Sequence, residues 1–186
     1  MAKDYLRAAL KAGIHTCAWP GRSADYRMQQ SPFEVAELCR FLVKHRVKSY
    51  LEIGLGRGGT WTFLSETLDL NPTCGITFDN ALKHMPPHGL LHLGGSETPE
   101  ALAFAEQHGP FDFLFIDARH EHEAVIEDFA RYAPLGKAIG LHDIAGLHGC
   151  PGSATSWAQI AAENEVLAEF IDPDWPIGIG VVKGGA

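Results

Sequence analysis

Asp117 and Asp143 are the residues of this chain best placed to gather charge in one spot. Each closes an apolar run, Phe111-Asp-Phe-Leu-Phe-Ile-Asp117 and Lys137-Ala-Ile-Gly-Leu-His-Asp143, of the length and composition of a buried strand. If the two strands are neighbours, both carboxylates reach one small volume. Two oxygen ligands there suit a hard divalent ion such as magnesium, which keeps several waters and takes few carboxylates. Such an ion can polarise a hydroxyl, lower its pKa and hold its oxygen in line with an electrophile. A second concentration of chemistry lies in YLEIGLGRGGTW, Tyr50 to Trp61. Gly54, Gly56 and Gly59 satisfy the spacing G-x-G-x-x-G, and Asp79 stands about 20 residues further on, where a ribose-binding acid belongs. On spacing alone, a nicotinamide dinucleotide satisfies this pattern.

The elements that must position these groups can be traced along the chain. Ser31-Pro-Phe-Glu34 has the form of a capping box with proline at the first helical position, so a helix opens there, carries Leu38, Phe41 and Leu42 as its apolar stripe and ends near Arg46. The spacing predicts a strand over 47–53, the glycine turn, and a helix from Trp61 to Leu68. Strands follow at Cys74 to Asp79 and Gly89 to Ser96, then a helix capped by Thr98 and stopped by Gly109. Phe111 to Asp117 is apolar on both faces, as central parallel strands are, and leads into a helix over about 121–132 with Val125, Ile126 and Phe129 inward. After the strand ending at Asp143, residues 145–153 (AGLHGCPGS) read as a loop, and a helix then buries Trp157, Ile160, Leu167 and Phe170. Phe170-Ile171 and Gly178 to Val182 supply two final strands, a hairpin-like pair on one sheet edge. Alternating strands and helices imply an α/β fold with one doubly wound, mostly parallel seven-stranded sheet covered on both faces, whose ligands bind beyond the carboxyl ends of the strands. Those ends carry Gly54, Asp79, Ser96, Asp117 and Asp143.

Two features favour S-adenosylmethionine over a dinucleotide. Glu52, two residues before the first glycine, can orient the loop and attract a cationic ligand, and a helix before the glycine strand is matched by a strand pair after the fifth. YLEIGLGRGGTW, GITFDN, LHLGGS, FDFLFIDARHEHEAVIEDFARYAP, IGLHDI and IGIGVV resemble, in order, the motifs of class I S-adenosylmethionine-dependent methyltransferases. More narrowly they resemble the metal-assisted O-methyltransferases of sugars and small natural products and relatives of the cephalosporin-hydroxylase type. The resemblance covers roughly residues 30 to 183. It implies a Rossmann-like methyltransferase fold in which Gly54 and Gly56, with Gly59 completing the motif, let backbone approach the methionine part of the cofactor and Glu52 supports the loop. Asp79 accepts the ribose hydroxyls, and Gly95 and Ser96 lie along adenine. His120 keeps the position of a general base, an imidazole being suited to accepting a hydroxyl proton at neutral pH, beside Asp117.

The departures from that pattern bear on the metal. Two adjacent acids are usual where this chain has His142-Asp143, and Asp-Gly-Asp-His-x-Tyr is replaced by Asp117-Ala-Arg-His120-Glu-His122. The expected metal set is therefore Asp117, His142 and Asp143, and histidine suits a transition metal better than magnesium. Arg119, replacing an acid, is expected to draw an anionic substrate or to pair with Glu121 or Glu123.

The whole chain narrows the function further. Its 186 residues, 46% hydrophobic, suffice for one well-buried domain, read as 31–186, after a less legible segment 1–30 that can shape a substrate pocket. A formal net charge of -8 opposes a nucleic-acid partner, which is held mainly by clustered Lys and Arg. No apolar run is long enough for a bilayer span or a signal core, so a cytoplasmic location is expected. Cys17, Cys39, Cys74 and Cys150 lack any paired short spacing and are expected as core thiols. The reading that results is O-methylation of a small hydroxylated acceptor, with S-adenosylmethionine and a divalent ion such as magnesium as cofactors. Assembly into a homo-oligomer is left open. The alternatives are an NAD-dependent oxidoreductase, or a binding protein that keeps the cofactor fold without the chemistry.

Overall fold

Tyr50–Ile53 (β1) has every residue buried, so a continuous apolar run with one carboxylate, Glu52, sits at the centre of the molecule. The computed structural model describes residues 4–12, 28, 30–78, 82–146 and 150–186. Around β1 lie α1 (Tyr5–Ala12), α2 (Pro32–Lys44), α3 (Gly59–Leu68), β2 (Thr73–Thr77), β3 (Gly89–Leu93), α4 (Pro99–His108), β4 (Phe111–Ile116) and α5 (His122–Tyr132). They are followed by β5 (Gly136–His142), α6 (Pro151–Glu163), β6 (Val166–Phe170) and β7 (Ile179–Lys183). The strands form one seven-stranded sheet in the order β3-β2-β1-β4-β5-β7-β6. β1 to β5 run parallel, and β7 enters antiparallel between β5 and β6.

The period-two alternation of β4 divides the core. Phe113 and Phe115 pack with Tyr50, Trp61, Leu38 and Leu42 on one face, while Leu114 and Ile116 pack with Leu51, Ile53, Val125, Tyr132 and Trp157 on the other. A sheet buried on both faces explains why β4 reads as a nearly unbroken apolar run. The register pairs Ile53 with Ile116 and Ile116 with Leu141. The residues just past β1, β4 and β5 therefore emerge side by side, and those are Gly54, Asp117 and Asp143.

Several expectations need correction. Ser31 does cap α2, accepting the Phe33 N–H at 3.2 Å, but no capping box closes. Glu34 is fully buried and accepts the N–H groups of Asp172 and Gly178, each at 2.9 Å. Tertiary demand wins here: those two loop amides have no strand partner, and a buried donor left unpaired costs about 1–3 kcal/mol. The expected loop over 145–153 ends earlier, because Pro151 already occupies the first turn of α6, where its missing N–H costs nothing. Leu167 and Phe170 lie on β6 rather than on the helix. α6 stops at Asn164, whose side chain donates to the Ile160 carbonyl at 2.8 Å. The β1 strand begins at Tyr50, three residues after the predicted start.

Candidate functional site

The turn after β1 uses its glycines in different ways. Gly54 has φ +89, and a Cβ there would lie 2.1 Å from the Asp117 carbonyl oxygen and 2.4 Å from the Ala118 Cα. This glycine lets the turn after β1 and the turn after β4 touch, with the Asp117 N–H donating to the Ile53 carbonyl at 2.8 Å. Gly56 has φ +50, and its Cβ position meets nothing among the described residues within 4 Å. It offers bare backbone to open space. Gly58, outside the predicted spacing, holds φ +80 at the N-cap of α3 and packs against the His84 carbonyl. Gly59 is the buried first residue of α3 and has no left-handed backbone. The left-handed conformations that favour glycine thus fall at 54, 56 and 58, for which the doubled glycine of GRGGTW was the available signal.

Glu52 is buried directly behind this turn. Its carboxylate accepts a hydrogen bond from the Tyr50 hydroxyl, on the same strand face. Burial pushes the Glu52 carboxyl well above the usual carboxylate range and the Asp117 charge adds to this, against the opposing pull of Tyr50 and His142. Past β3, Gly95 accepts from the Thr98 hydroxyl through its carbonyl at 2.9 Å, and the Ser96 carbonyl accepts from the Tyr132 hydroxyl at 2.6 Å. Both residues are therefore held firmly at the rim. Asp79 lies outside the described residues, as does Cys17.

Asp117, His142, Asp143 and His120 come together beyond β4 and β5. The Asp117 carboxylate accepts from the Gln30 amide at 2.9 Å and faces the His142 Nδ1 at 3.0 Å. His142 Nδ1 also lies 3.4 Å from Asp143. His120 Nδ1 lies 3.3 Å from Asp143 and 3.4 Å from the Ser153 hydroxyl. His142 is buried, whereas the His120 side chain is 44% exposed, so His120 stands at the mouth of the cluster. Asp143 holds φ +59, a left-handed backbone uncommon for a non-glycine residue. A small cavity lined by residues 116–120, Val125, Leu141, His142 and Ser153 adjoins the cluster.

Burial opposes a proton on His142, but the charges of Asp117 and Asp143 outweigh it and raise its pKa well above the usual value. Burial likewise acts to raise Asp143, and the contacts with His142 and the charge of His120 overcome this and lower it. His142 and Glu52 both have raised folded-state values, so their contributions are complete below about pH 6.5 and 4.3 respectively and fade as pH rises through the folded values. Melting the protein from pH 6 to pH 9 should show a falling midpoint, with stability declining by up to about 1.4 kcal/mol per pH unit for each extra proton bound by the folded state. His142→Asn should flatten that slope. An unchanged slope in the variant would take His142 out of the linkage.

The structure also brings in residues to which the sequence did not point. Gln30 is buried, and its amide oxygen accepts from the Thr60 hydroxyl while its nitrogen reaches Asp117. This ties the chain just before α2, and the start of α3, to the cluster. No sequence pattern marks a glutamine for that work. Cys39 and Cys74 are core residues as expected, but Cys150 is only half-buried and stands beside Asp143. Burial, reinforced by the Asp143 charge, pushes its thiol up to about 11. Arg119 pairs with Asp128 at 2.9 Å and Glu127 at 3.2 Å, not with Glu121 or Glu123. It lies just before α5, and residues 124, 127 and 128 recur on the helix face along which its side chain runs. Its charge is thereby neutralised along α5. His122 contacts Ser156 at 3.0 Å and helps dock α5 on α6.

For a hard ion the donor set is half suited. Asp117 and Asp143 offer oxygens, but the third member, His142, is an imidazole whose Nδ1 already bonds Asp117, and magnesium demands near-ideal oxygen coordination.

No family model matches the chain, and no curated protein matches it. Solved structures do. The MycE methyltransferase of the mycinamycin biosynthetic pathway, in complex with Mg, SAH and mycinamycin VI, aligns with a TM-score of 0.60 at 16% identity over 80% of this chain and 48% of that one. The chain thus spans about half the length of MycE. The O-methyltransferase TomG from Streptomyces achromogenes, in complex with SAM, aligns over 100% of this chain and 92% of its own (TM-score 0.62, 15% identity). An O-methyltransferase from Bacillus cereus in complex with SAH aligns over 98% and 92% (TM-score 0.56, 17% identity). These likenesses, with the strand order and the antiparallel β7, establish the Rossmann-like methyltransferase fold. No helix among the described residues is long and apolar enough to cross a membrane.

Proposed function

We propose that this chain is a cytoplasmic S-adenosylmethionine-dependent O-methyltransferase acting on a small hydroxylated acceptor. One observation carries the reading. The open backbone at Gly56 and the cluster of Asp117, His142, Asp143 and His120 lie at the carboxyl ends of three adjacent strands, where folds of this type bind ligands. MycE, TomG and the Bacillus cereus enzyme, crystallised with SAM or its product SAH, support the choice of cofactor. The net charge of -8 suits a cationic sulfonium and a small acceptor better than a polyanion.

In the reaction, the acceptor oxygen attacks the methyl carbon, the carbon–sulfur bond breaks and its electron pair stays on sulfur. The acceptor's proton must leave. In the metal-free protein His120, held by Asp143 and exposed at the mouth, takes it at a ring nitrogen. Gln30, Thr60 and His142 hold Asp117, so the charged wall beside the methyl group is set before substrate arrives. Such preorganisation and alignment can recover about 7–11 kcal/mol of barrier. A divalent ion at the Asp117 and Asp143 carboxylates would supply charge to polarise the acceptor oxygen.

Titration with S-adenosylmethionine, S-adenosylhomocysteine and NAD tests the cofactor. Micromolar binding of the first two without response to NAD is expected, and the reverse would favour an oxidoreductase. Asp79, assigned from the sequence to the ribose hydroxyls, offers a second test. Since a charged hydrogen-bond partner contributes about 1.5–3 kcal/mol, Asp79→Ala should weaken binding by roughly ten- to a hundredfold. An unchanged dissociation constant in the folded variant would move the ribose site elsewhere. Slow consumption of S-adenosylmethionine with pooled hydroxylated metabolites would separate an enzyme from a binding protein that had lost its chemistry.

A further inference from the structure

We propose that His120, Asp143 and Cys150 form a binding site for one thiophilic divalent cation of the zinc type. The site shares Asp143 with the set of Asp117, His142 and Asp143 but takes its other two ligands from different segments. One ligand atom from each of the three residues lies within 4.8 Å of the other two. They come from three separate segments: His120 ahead of α5, Asp143 just past β5, and Cys150 at the N-cap of α6. The sheet and the docking of α5 on α6 therefore assemble the cluster.

The spacing fits an ion better than a hydrogen bond. His120 Nδ1 lies 3.3 Å from Asp143 Oδ2, whereas a charge-assisted N–H to carboxylate bond is about 2.7–2.9 Å. Two atoms bound to one tetrahedral zinc at about 2.0–2.1 Å stand about 3.3–3.4 Å apart, the edge of the tetrahedron. The donor types agree with the geometry. Imidazole, carboxylate and thiolate together select zinc or a similar transition metal, while magnesium takes oxygen ligands. Three protein ligands leave the fourth tetrahedral position open, as in zinc sites that act on a substrate rather than hold a fold together. The His120 side chain, 44% exposed, stands at the solvent side of this cluster.

The competing set is less suited, because its imidazole is buried and already bonded to Asp117 at 3.0 Å. The left-handed backbone of Asp143 is a further sign, since such strain tends to persist where side-chain direction matters. If the methyltransferase reading also holds, the ion would sit where it can polarise the acceptor oxygen, and His120 would hold it rather than take the proton.

Cobalt(II) is the probe, because its spectrum reports both thiolate ligation and geometry. Titrating the whole protein should give one equivalent of bound cobalt with intense tetrahedral visible bands and a thiolate-to-cobalt charge-transfer band in the near ultraviolet. Zinc should abolish both, and a large excess of magnesium should not. Cys150→Ser should lose the charge-transfer band, and His122→Gln, whose ring is engaged with Ser156, should keep it. Absence of the band in the unaltered protein, displacement by magnesium, or an unchanged band in Cys150→Ser would each overturn the proposal. The first two need no variant to fold. Cofactor titration of the same preparations is scored separately, so failure to bind S-adenosylmethionine would overturn the function and leave the metal site standing.

Discussion

His120→Asn is expected to lower the single-turnover rate by about 10²–10⁴-fold, the usual range for a lost acid/base group, while S-adenosylmethionine affinity stays unchanged. The side chain is 44% exposed and, among the described residues, lies against Asp143 and Ser153 at the mouth of the cluster, outside the apolar core. Asparagine can keep a local hydrogen bond but can neither accept the proton nor serve as an imidazole ligand. Thermal midpoint, cofactor affinity and single-turnover rate should be measured on one preparation, once an acceptor has been found. A near-normal rate would remove His120 from the mechanism. A fall in midpoint with normal turnover of the folded fraction would reduce it to a helix-start residue, a role whose loss costs about 0.5–2 kcal/mol.

The glycine turn offers the second large effect, and here the smaller of two substitutions should do the greater damage to the fold. Gly54→Ala should destabilise the fold by more than about 4 kcal/mol, in the range reserved for severe lesions. Its Cβ would fall 2.1 Å from a backbone oxygen of the next turn, at a φ of +89 that alanine resists. Neither backbone can withdraw without breaking the pairing of β1 with β4. At Gly56, by contrast, an added Cβ meets no described atom within 4 Å, and the cost of Gly56→Val in stability is the conformational one, about 1–2 kcal/mol. That variant should fold and yet lose cofactor affinity, because the branched side chain occupies the space the ligand requires. Denaturant unfolding paired with cofactor titration separates the two. Normal S-adenosylmethionine binding by Gly56→Val would place the ligand away from this turn.

Much of the architecture was legible because burial writes a local pattern. β4 is apolar on both faces since a central parallel strand has no solvent side, and Thr98 and Gly109 bound α4 by capping chemistry that neighbours in sequence supply. The meeting of Asp117 and Asp143 could be read as well, because each closes an apolar run and parallel strands of one sheet end on one side. Glu34 departs from its local pattern for the opposite reason. Its spacing from Ser31 satisfied a local rule, but two amides more than a hundred residues away had the stronger claim on it. Leu167 and Phe170 lie on β6 rather than in the predicted helix, and a short apolar run does not distinguish a helix from the edge strand that β7 recruits.

The site divides along the same line. The sequence by itself determined which chemical groups follow β1, β4 and β5, since a strand's last residue and the glycines after it are local facts. Only the tertiary structure decided their surroundings. It engaged Arg119 with α5, set Gln30 against Asp117, confined His142 between two carboxylates, and brought Cys150 from the far end of a loop to within reach of His120 and Asp143. Each of these contacts joins segments with no periodic or spacing relation. They exist because the sheet and its helices hold those segments together, and a side chain so placed satisfies the neighbours it meets in space rather than those beside it in the chain.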